Sequence, residues 1–334
     1  MARVLVTRRL PEGGLDPLLA AGHEVVTNDD DRPYTTAALA TAAREVDAIV
    51  CLLTDRIDAE VLTAGADGGR LRVVANVAVG YDNIDVAAAT ARKIVVTNTP
   101  GVLTESTADL AFALMLACAR RLGTAERYLR DGKWQRWDID LLVGGDVHGR
   151  TLGIVGFGRI GQAVARRAAG FGMKVLCATR SEPPQALLQE LRVQHAPLDF
   201  VLANSDFVSV HVPLTESTRH LISVEQLARM RRDAILINTS RGPVVDEAAL
   251  VAVLEEGLIA GAGLDVFEAE PKVHPGLLAL PNVVLLPHIG SATVATRTRM
   301  SVMAAVICGA AAGDRKSTRL NSSHSSVSRM PSSA

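Results

Sequence analysis

Thr151-Leu-Gly-Ile-Val-Gly-Phe-Gly-Arg-Ile-Gly161 decides the fold. Its first five residues are an apolar run of strand length. Gly156, Gly158 and Gly161 follow in the pattern G-x-G-x-x-G. Ile160, Val164 and Ala168 then recur at helical spacing. In a strand–turn–helix unit the first glycine permits the tight turn and the second lets backbone approach a pyrophosphate. The third lets the helix pack close to its strand. The helix N-terminus supplies free N–H groups to the anion. A further apolar run at 174–178 completes a βαβ unit. The stretch therefore reads as a dinucleotide-binding turn, with Arg159 and Ile160 opening its helix.

The residues after the second strand bear on which dinucleotide binds. An acid about 20 residues past the glycines would accept from a ribose 2′-OH. This chain has Thr179-Arg180-Ser181 there. A guanidinium flanked by hydroxyls suits a 2′-phosphate. The expectation is NADP(H) in preference to NAD(H), with NAD(H) possible because Glu182 lies close by.

Outward from this unit, short apolar segments alternate with helical ones along the whole chain. Predicted strands lie at 3–8, 23–27, 48–53, 73–78 and 94–98, with helices between them. A second series lies at 151–155, 174–178, 207–211, 234–238, 261–265 and 283–286. A long helix is predicted over about 105–122, opened by a capping box of Ser106 and Asp109 and buried nearly all round. Residues 123–148 read as polar and irregular. The expected class is α/β. It comprises two doubly wound parallel-sheet domains with a cleft between them, the second a Rossmann domain for the dinucleotide. Residues 315–334 hold eight serines, four Lys or Arg and no acid. They read as a disordered, non-native tail.

Three later strand ends carry chemistry. Asn238-Thr239-Ser-Arg241-Gly places a guanidinium where ligands of open α/β sheets bind, and its planar fork suits a carboxylate. Asp265 ends the next strand and Glu270 follows shortly. Pro287-His288-Ile-Gly290 ends the third. His211, also after a strand, is the second candidate for a proton donor.

Composition limits the alternatives. The net charge of −1 gives no basic field for nucleic acid. The four cysteines are scattered, which fits a reduced, cytoplasmic protein. The longest apolar run, 110–119, is too short for a membrane span, and no signal peptide is expected. No metal motif or hydrolase nucleophile motif is present.

Several longer segments carry a resemblance. They are Val77–Asp85, Thr97–Thr104, Thr107–Ala111, the glycine turn, His211-Val-Pro213-Leu-Thr215, Asn238–Gly242, Gly263–Phe267 and Pro287–Ser291. Together they resemble the D-isomer-specific 2-hydroxyacid dehydrogenases, most closely their glyoxylate/hydroxypyruvate reductases. The resemblance implies reduction of a small 2-oxo acid, with Arg241 on its carboxylate and oxo oxygen, His288 as general acid and Glu270 paired to His288. Backbone groups of Val79 and Gly80 would also hold the carboxylate. Thr107, His211, Pro213, Thr239, Asp265 and Gly290 would line the cofactor, Asp265 at the nicotinamide carboxamide. The first domain would be a flavodoxin-like lid for substrate, formed by 1–98 plus 292–314, with 99–291 as the dinucleotide domain and residues 123–148 as a dimerisation arm of a homodimer. Phosphoglycerate, phosphonate and formate dehydrogenases of the same family remain open, as does an NAD(H)-sensing corepressor of the same fold.

Overall fold

The computed structural model describes residues 1–313. The expectation for the Ser-rich tail, 315–334, lies outside the described residues. The chain divides into two compact units: Met1–Leu103 with Ser291 onward, and Thr104–Gly290.

The first unit alternates β1 (Arg3–Val6), α1 (Asp16–Ala20), β2 (Glu24–Thr27), α2 (Thr36–Ala43), β3 (Ala48–Cys51), α3 (Ala59–Asp67), β4 (Val73–Asn76), α4 (Val86–Ala91) and β5 (Val95–Thr97). Its five strands are all parallel, in the order β2-β1-β3-β4-β5. That is the flavodoxin-like order. Every residue of β3 and β4 is buried, as befits strands covered on both faces, whereas the edge strand β2 is partly exposed. Several helix starts are fixed locally. The side chains of Thr35, Asp58 and Asp85 accept from free N–H groups at the starts of α2, α3 and α4. A last helix, numbered α13 below, packs against α1, β3 and β4.

The second unit begins with α5 (Thr104–Ala119) and α6 (Leu122–Arg130). It continues through β6 (Thr151–Val155), α7 (Arg159–Gly170), β7 (Lys174–Ala178), α8 (Gln185–Leu191), β8 (Val193–His195), α9 (Leu198–Ala203), β9 (Phe207–Val210), α10 (Val224–Arg229) and β10 (Ile235–Asn238). A short 3-10 turn, Gly242–Val244, precedes α11 (Glu247–Glu255), β11 (Gly261–Leu264), α12 (Pro275–Ala279) and β12 (Val283–Leu285). Helix α13 (Val294–Gly313) belongs to the first unit. The seven parallel strands run β12-β11-β10-β9-β6-β7-β8. Counted within the unit, the first six follow the Rossmann order 3-2-1-4-5-6, and the order reverses between β6 and β9. One face of the sheet is covered by α5 and α7, where Leu114 and Met115 are fully buried. Each such side chain contributes about 1.5–3 kcal/mol relative to exposure. The other face packs on α10 and α11.

Four local expectations are corrected. The long helix begins at Thr104 and stops at Ala119, because Arg121 adopts a left-handed backbone, φ 53°, that no α-helix can carry. The predicted capping box is displaced: Ser106 falls inside the first turn, and Asp109 pairs with Arg167 at 2.7 Å. Residues 123–130, read as irregular, are helical within α6, although that helix buries no side chain. The rest of that segment, 131–148, is turns and coil. The edge strand β8 has no counterpart among the predicted strands, since three residues, Val-Gln-His, carry no readable alternation.

Candidate active site

The glycine turn sits at the switch point of the Rossmann sheet. Gly156 has φ +95°, and a Cβ there would lie 2.8 Å from the backbone of His211, the residue that leaves β9. At Gly161 a Cβ would lie 2.3 Å from the carbonyl oxygen of Gly156, so α7 can approach its strand only through glycine. Around Gly158 a Cβ would meet nothing within 4 Å. The middle glycine is thus required by nothing inside the protein, which is what a backbone surface for a phosphate looks like.

Two buried polar atoms near strand ends have no protein partner: Nδ1 of His211 and Oγ1 of Thr239. Nε2 of His211 lies 2.8 Å from Oγ of Ser209, and burial pushes the imidazole down to about 4. Desolvation thus disfavours the charged form of His211 that a proton donor needs, which speaks against that role for it. Buried atoms that lack partners need one, and a bound dinucleotide could supply it. Thr179, Arg180 and Ser181 follow β7 directly, with Arg180 exposed.

Arg241 follows β10. Its turn is held by one side chain: Nδ2 of Asn238 donates to the Arg241 carbonyl at 3.0 Å, and Oδ1 accepts from Ser240 N–H and Oγ. Nη1 of Arg241 donates to the Ser240 carbonyl at 2.9 Å. His288 lies beyond β12, and its Nδ1 is 2.8 Å from Oε2 of Glu270. Oε1 of Glu270 accepts from the N–H of Phe267 at 3.0 Å. Burial alone would raise the Glu270 carboxyl. The hydrogen bond and charge of His288, the Phe267 N–H and the charge of Arg241 outweigh it and hold the group below the ordinary glutamate range. The structure therefore gathers Arg241, Glu270 and His288 within one unit, leaving Nε2 of His288 as the ring atom not engaged by Glu270.

His288 itself has φ +55°, a left-handed conformation uncommon outside glycine. Its surroundings fix it there. Oδ1 and Oδ2 of Asp265 accept from Ile289 N–H at 2.7 Å and Gly290 N–H at 2.8 Å. Thr107 donates from Oγ1 to the Gly290 carbonyl at 3.3 Å. Asp265, Thr107 and Gly290 thus form one cluster that holds the loop of His288. Burial raises the Asp265 carboxyl against the lowering effect of its two backbone donors.

In the first unit, Val79 and Gly80 follow β4. Asn98 Nδ2 donates to the Val79 carbonyl and Asn76 Nδ2 to the Gly80 carbonyl, each at 2.8 Å. With both carbonyls engaged, what this backbone retains for an anion is N–H. Asn76 and Asn98, and the bracing role of Asn238, are not singled out by the sequence. The available signal was an asparagine at or just after a strand end, beside a tight turn. A surface pocket of about 530 Å³ lies elsewhere, beside Thr151 and Lys174 at the amino ends of β6 and β7, the wrong edge for a ligand of this sheet. Among the described residues no group of three or more His, Cys, Asp or Glu is placed to hold a metal, and no helix is long and apolar enough to cross a membrane.

The family model for the D-isomer specific 2-hydroxyacid dehydrogenase NAD binding domain matches residues 112–290. A glyoxylate reductase of Korarchaeum cryptofilum is 56% identical over 308 residues, 91% of this chain and 90% of that protein. This chain belongs to the D-isomer-specific 2-hydroxyacid dehydrogenases. Members of that family are NAD(P)-dependent oxidoreductases, and the Rossmann unit is their dinucleotide-binding domain. A Thermococcus onnurineus glyoxylate reductase is 50% identical over 91% of this chain and 90% of its own length. Among solved structures, a protein of Thermus thermophilus superposes with TM-score 0.83 at 46% identity, covering 91% of this chain and 94% of that one. An NADPH-dependent glyoxylate/hydroxypyruvate reductase of Sinorhizobium meliloti, in complex with NADP and malonate, superposes with TM-score 0.81 at 40% identity and covers 91% of each chain.

Proposed function

We propose that this dehydrogenase reduces glyoxylate or hydroxypyruvate to the 2-hydroxy acid, with NADPH preferred over NADH. The observation that carries the reading is the grouping of Arg241, Glu270 and His288 in the unit that bears the glycine turn. The relatives named as glyoxylate reductases support the substrate class.

A reduced dinucleotide held at the glycine turn would supply the hydride that C2 of the oxo acid takes up. Everything else falls to side chains. The Arg241 fork binds the substrate carboxylate and steadies the oxo oxygen as negative charge grows there. His288 gives a proton from Nε2 to that oxygen, so a carbonyl becomes an alcohol as hydride and proton are added together. Glu270 holds Nδ1 and so fixes the ring, which leaves Nε2 to face the oxo oxygen. The N–H groups of Val79 and Gly80 are proposed as further carboxylate donors. Gly158 and Gly161, with the N-terminus of α7 from Arg159 and Ile160, take the pyrophosphate. His211, Pro213, Thr239, Thr107, Asp265 and Gly290 are proposed to border the cofactor. Arg180, between Thr179 and Ser181, is proposed to bind the 2′-phosphate, supported by the missing acid after β7. Homodimerisation through 123–148 is proposed on the exposure of Trp134, Trp137 and Ile139 in that segment.

The test is steady-state oxidation of NADPH and NADH with glyoxylate, hydroxypyruvate and pyruvate. Turnover of the first two with NADPH is expected. A folded, cofactor-binding sample inert towards all three would overturn the substrate assignment.

A further inference from the structure

Glu270 can serve His288 only if the peptide that precedes it stays in place. The N–H of Phe267 holds one oxygen of Glu270, and the other oxygen meets His288. The peptide joining Phe267 to Glu268 is itself clamped from two sides. On one side lies Gly242, the residue after Arg241: a Cβ there would fall 1.9 Å from the Phe267 carbonyl carbon and 2.4 Å from the Glu268 nitrogen. On the other side lies Glu247 in the first turn of α11. Its Oε1 accepts from the N–H of Glu268 at 2.6 Å. Glu268 answers by accepting from the N–H of Glu247 at 3.2 Å through its own Oε1. That oxygen also lies 2.8 Å from Nε2 of His220.

Two carboxylates thus exchange backbone hydrogen bonds across the gap between the Glu270 loop and the N-terminus of α11. Each satisfies a donor that would otherwise be free, and both sit where the helix dipole favours negative charge. Glu247 is 7% exposed, an unusual place for an acid without a task. The charged groups around it are Glu268, Glu270 and His274, with His220 adjoining Glu268 and Asp246 facing His220. Burial raises the Glu247 carboxyl and the neighbouring carboxylates add to this, while the Glu268 N–H and His274 oppose it.

We infer that the Glu247–Glu268 exchange is a positioning latch for the proton-donating pair, holding the Phe267 N–H where it aims Glu270 at His288. Glu247 and Glu268 are positioning residues and touch no substrate. The inference rests on the roles proposed above for Glu270 and His288. Arg241 has its own support from Asn238, so releasing the latch should loosen Glu270 and spare carboxylate binding.

The experiment compares Glu247→Ala with Glu247→Gln in glyoxylate reduction across pH. The alanine variant loses the acceptor for the Glu268 N–H; the amide oxygen of glutamine keeps it. In Glu247→Ala the alkaline limb of kcat/KM should move about one pH unit to lower pH, with kcat down about tenfold above neutrality and KM within about twofold. Glu247→Gln should return the limb to its original position. Should Glu247→Ala fail to fold, Glu268→Ala, whose side chain is 32% exposed, carries the same expectation. A limb that stays in place in these variants, with rate falling only in line with folded fraction, would overturn the latch. Failure of the underlying reading shows differently: wild-type enzyme, or Glu270→Gln, would then show no alkaline limb that depends on His288.

Discussion

The substitution Gly158→Ala separates what the glycine turn does for the fold from what it does for the cofactor. Gly158 is the N-cap of α7 with φ −75° and ψ −166°, an extended conformation that alanine adopts without strain. A Cβ there meets no protein atom within 4 Å. Two small terms act on stability. Replacing glycine narrows the unfolded ensemble and stabilises by about 0.4–1 kcal/mol, while alanine is a poorer N-cap than glycine by a comparable amount. Net stability should therefore change by less than about 0.5 kcal/mol. Cofactor affinity should behave otherwise, because the methyl group projects onto the surface assigned to the pyrophosphate. Displacing a phosphate from even one backbone N–H donor costs about 1.5–3 kcal/mol, or about 10- to 150-fold in Kd. Gly161→Ala gives the opposite result. Its Cβ would lie 2.3 Å from the Gly156 carbonyl oxygen and 3.1 Å from the Ile154 side chain, so the helix must shift, at about 1–3 kcal/mol of stability. Urea unfolding without ligand measures the first quantity and NADPH fluorescence titration the second. If Gly158→Ala bound NADPH as tightly as the wild type, the placement of the pyrophosphate at this turn would be wrong.

Arg241→Ala should raise KM for the oxo acid at least about tenfold and lower kcat as well, since the carboxylate partner is lost; an unchanged KM in initial-rate assays would mean another anion site. Reduction should fall as pH rises because the proton donor is lost, and His288→Ala should abolish that limb along with most activity; an active variant with an unchanged profile would exclude His288. Glu270 is held below the ordinary glutamate range, so its stabilising effect is present at neutral pH and lost as pH falls through that lowered value. Acid denaturation of Glu270→Gln should accordingly be less steep below about pH 4.5. Asp47 offers a similar test in the first unit. Burial there is outweighed by Arg70, the Arg3 N–H and Arg72, which bring the carboxyl from 3.8 to about 2. Its contribution is complete above pH 3.8 and lost towards pH 2. With a discount for the half-exposed Arg70, Asp47→Asn should cost about 1–2 kcal/mol at neutral pH in urea melts.

What was legible in the sequence was what depends on pattern. Strands β6 and β7 match their predicted limits to the residue, because apolar runs bounded by glycine or by polar residues leave little freedom. The strand ends that deliver Arg241, Glu270 and His288 could be read because consecutive parallel strands must end at one edge. Less legible was anything set by a single backbone angle. Arg121 at φ 53° ends α5 and separates α6, and no composition rule marks an arginine for that role. Equally hidden were pairings distant in sequence, such as Asp109 with Arg167 and Glu247 with Glu268, since their partners are defined only once the sheet order is known.

Polar residues that looked catalytic by type divide, in the structure, according to what they already hold. His211 is half-buried, with desolvation lowering its imidazole and one buried ring nitrogen unpartnered, which supports the cofactor contact proposed for it. His288 has one nitrogen engaged by a carboxylate whose ionised form is favoured, which fixes the ring and leaves Nε2 for the donor role proposed above. Asp265 lies one strand from Arg241, yet both its oxygens hold backbone of the His288 loop. Residue type and strand end alone treat these groups alike. Their partners distinguish the proposed proton donor from the proposed cofactor contact and from an aspartate that also holds the donor's loop, and each proposal predicts a different loss: the alkaline limb for His288, cofactor affinity for His211, and the geometry of the donor for Asp265.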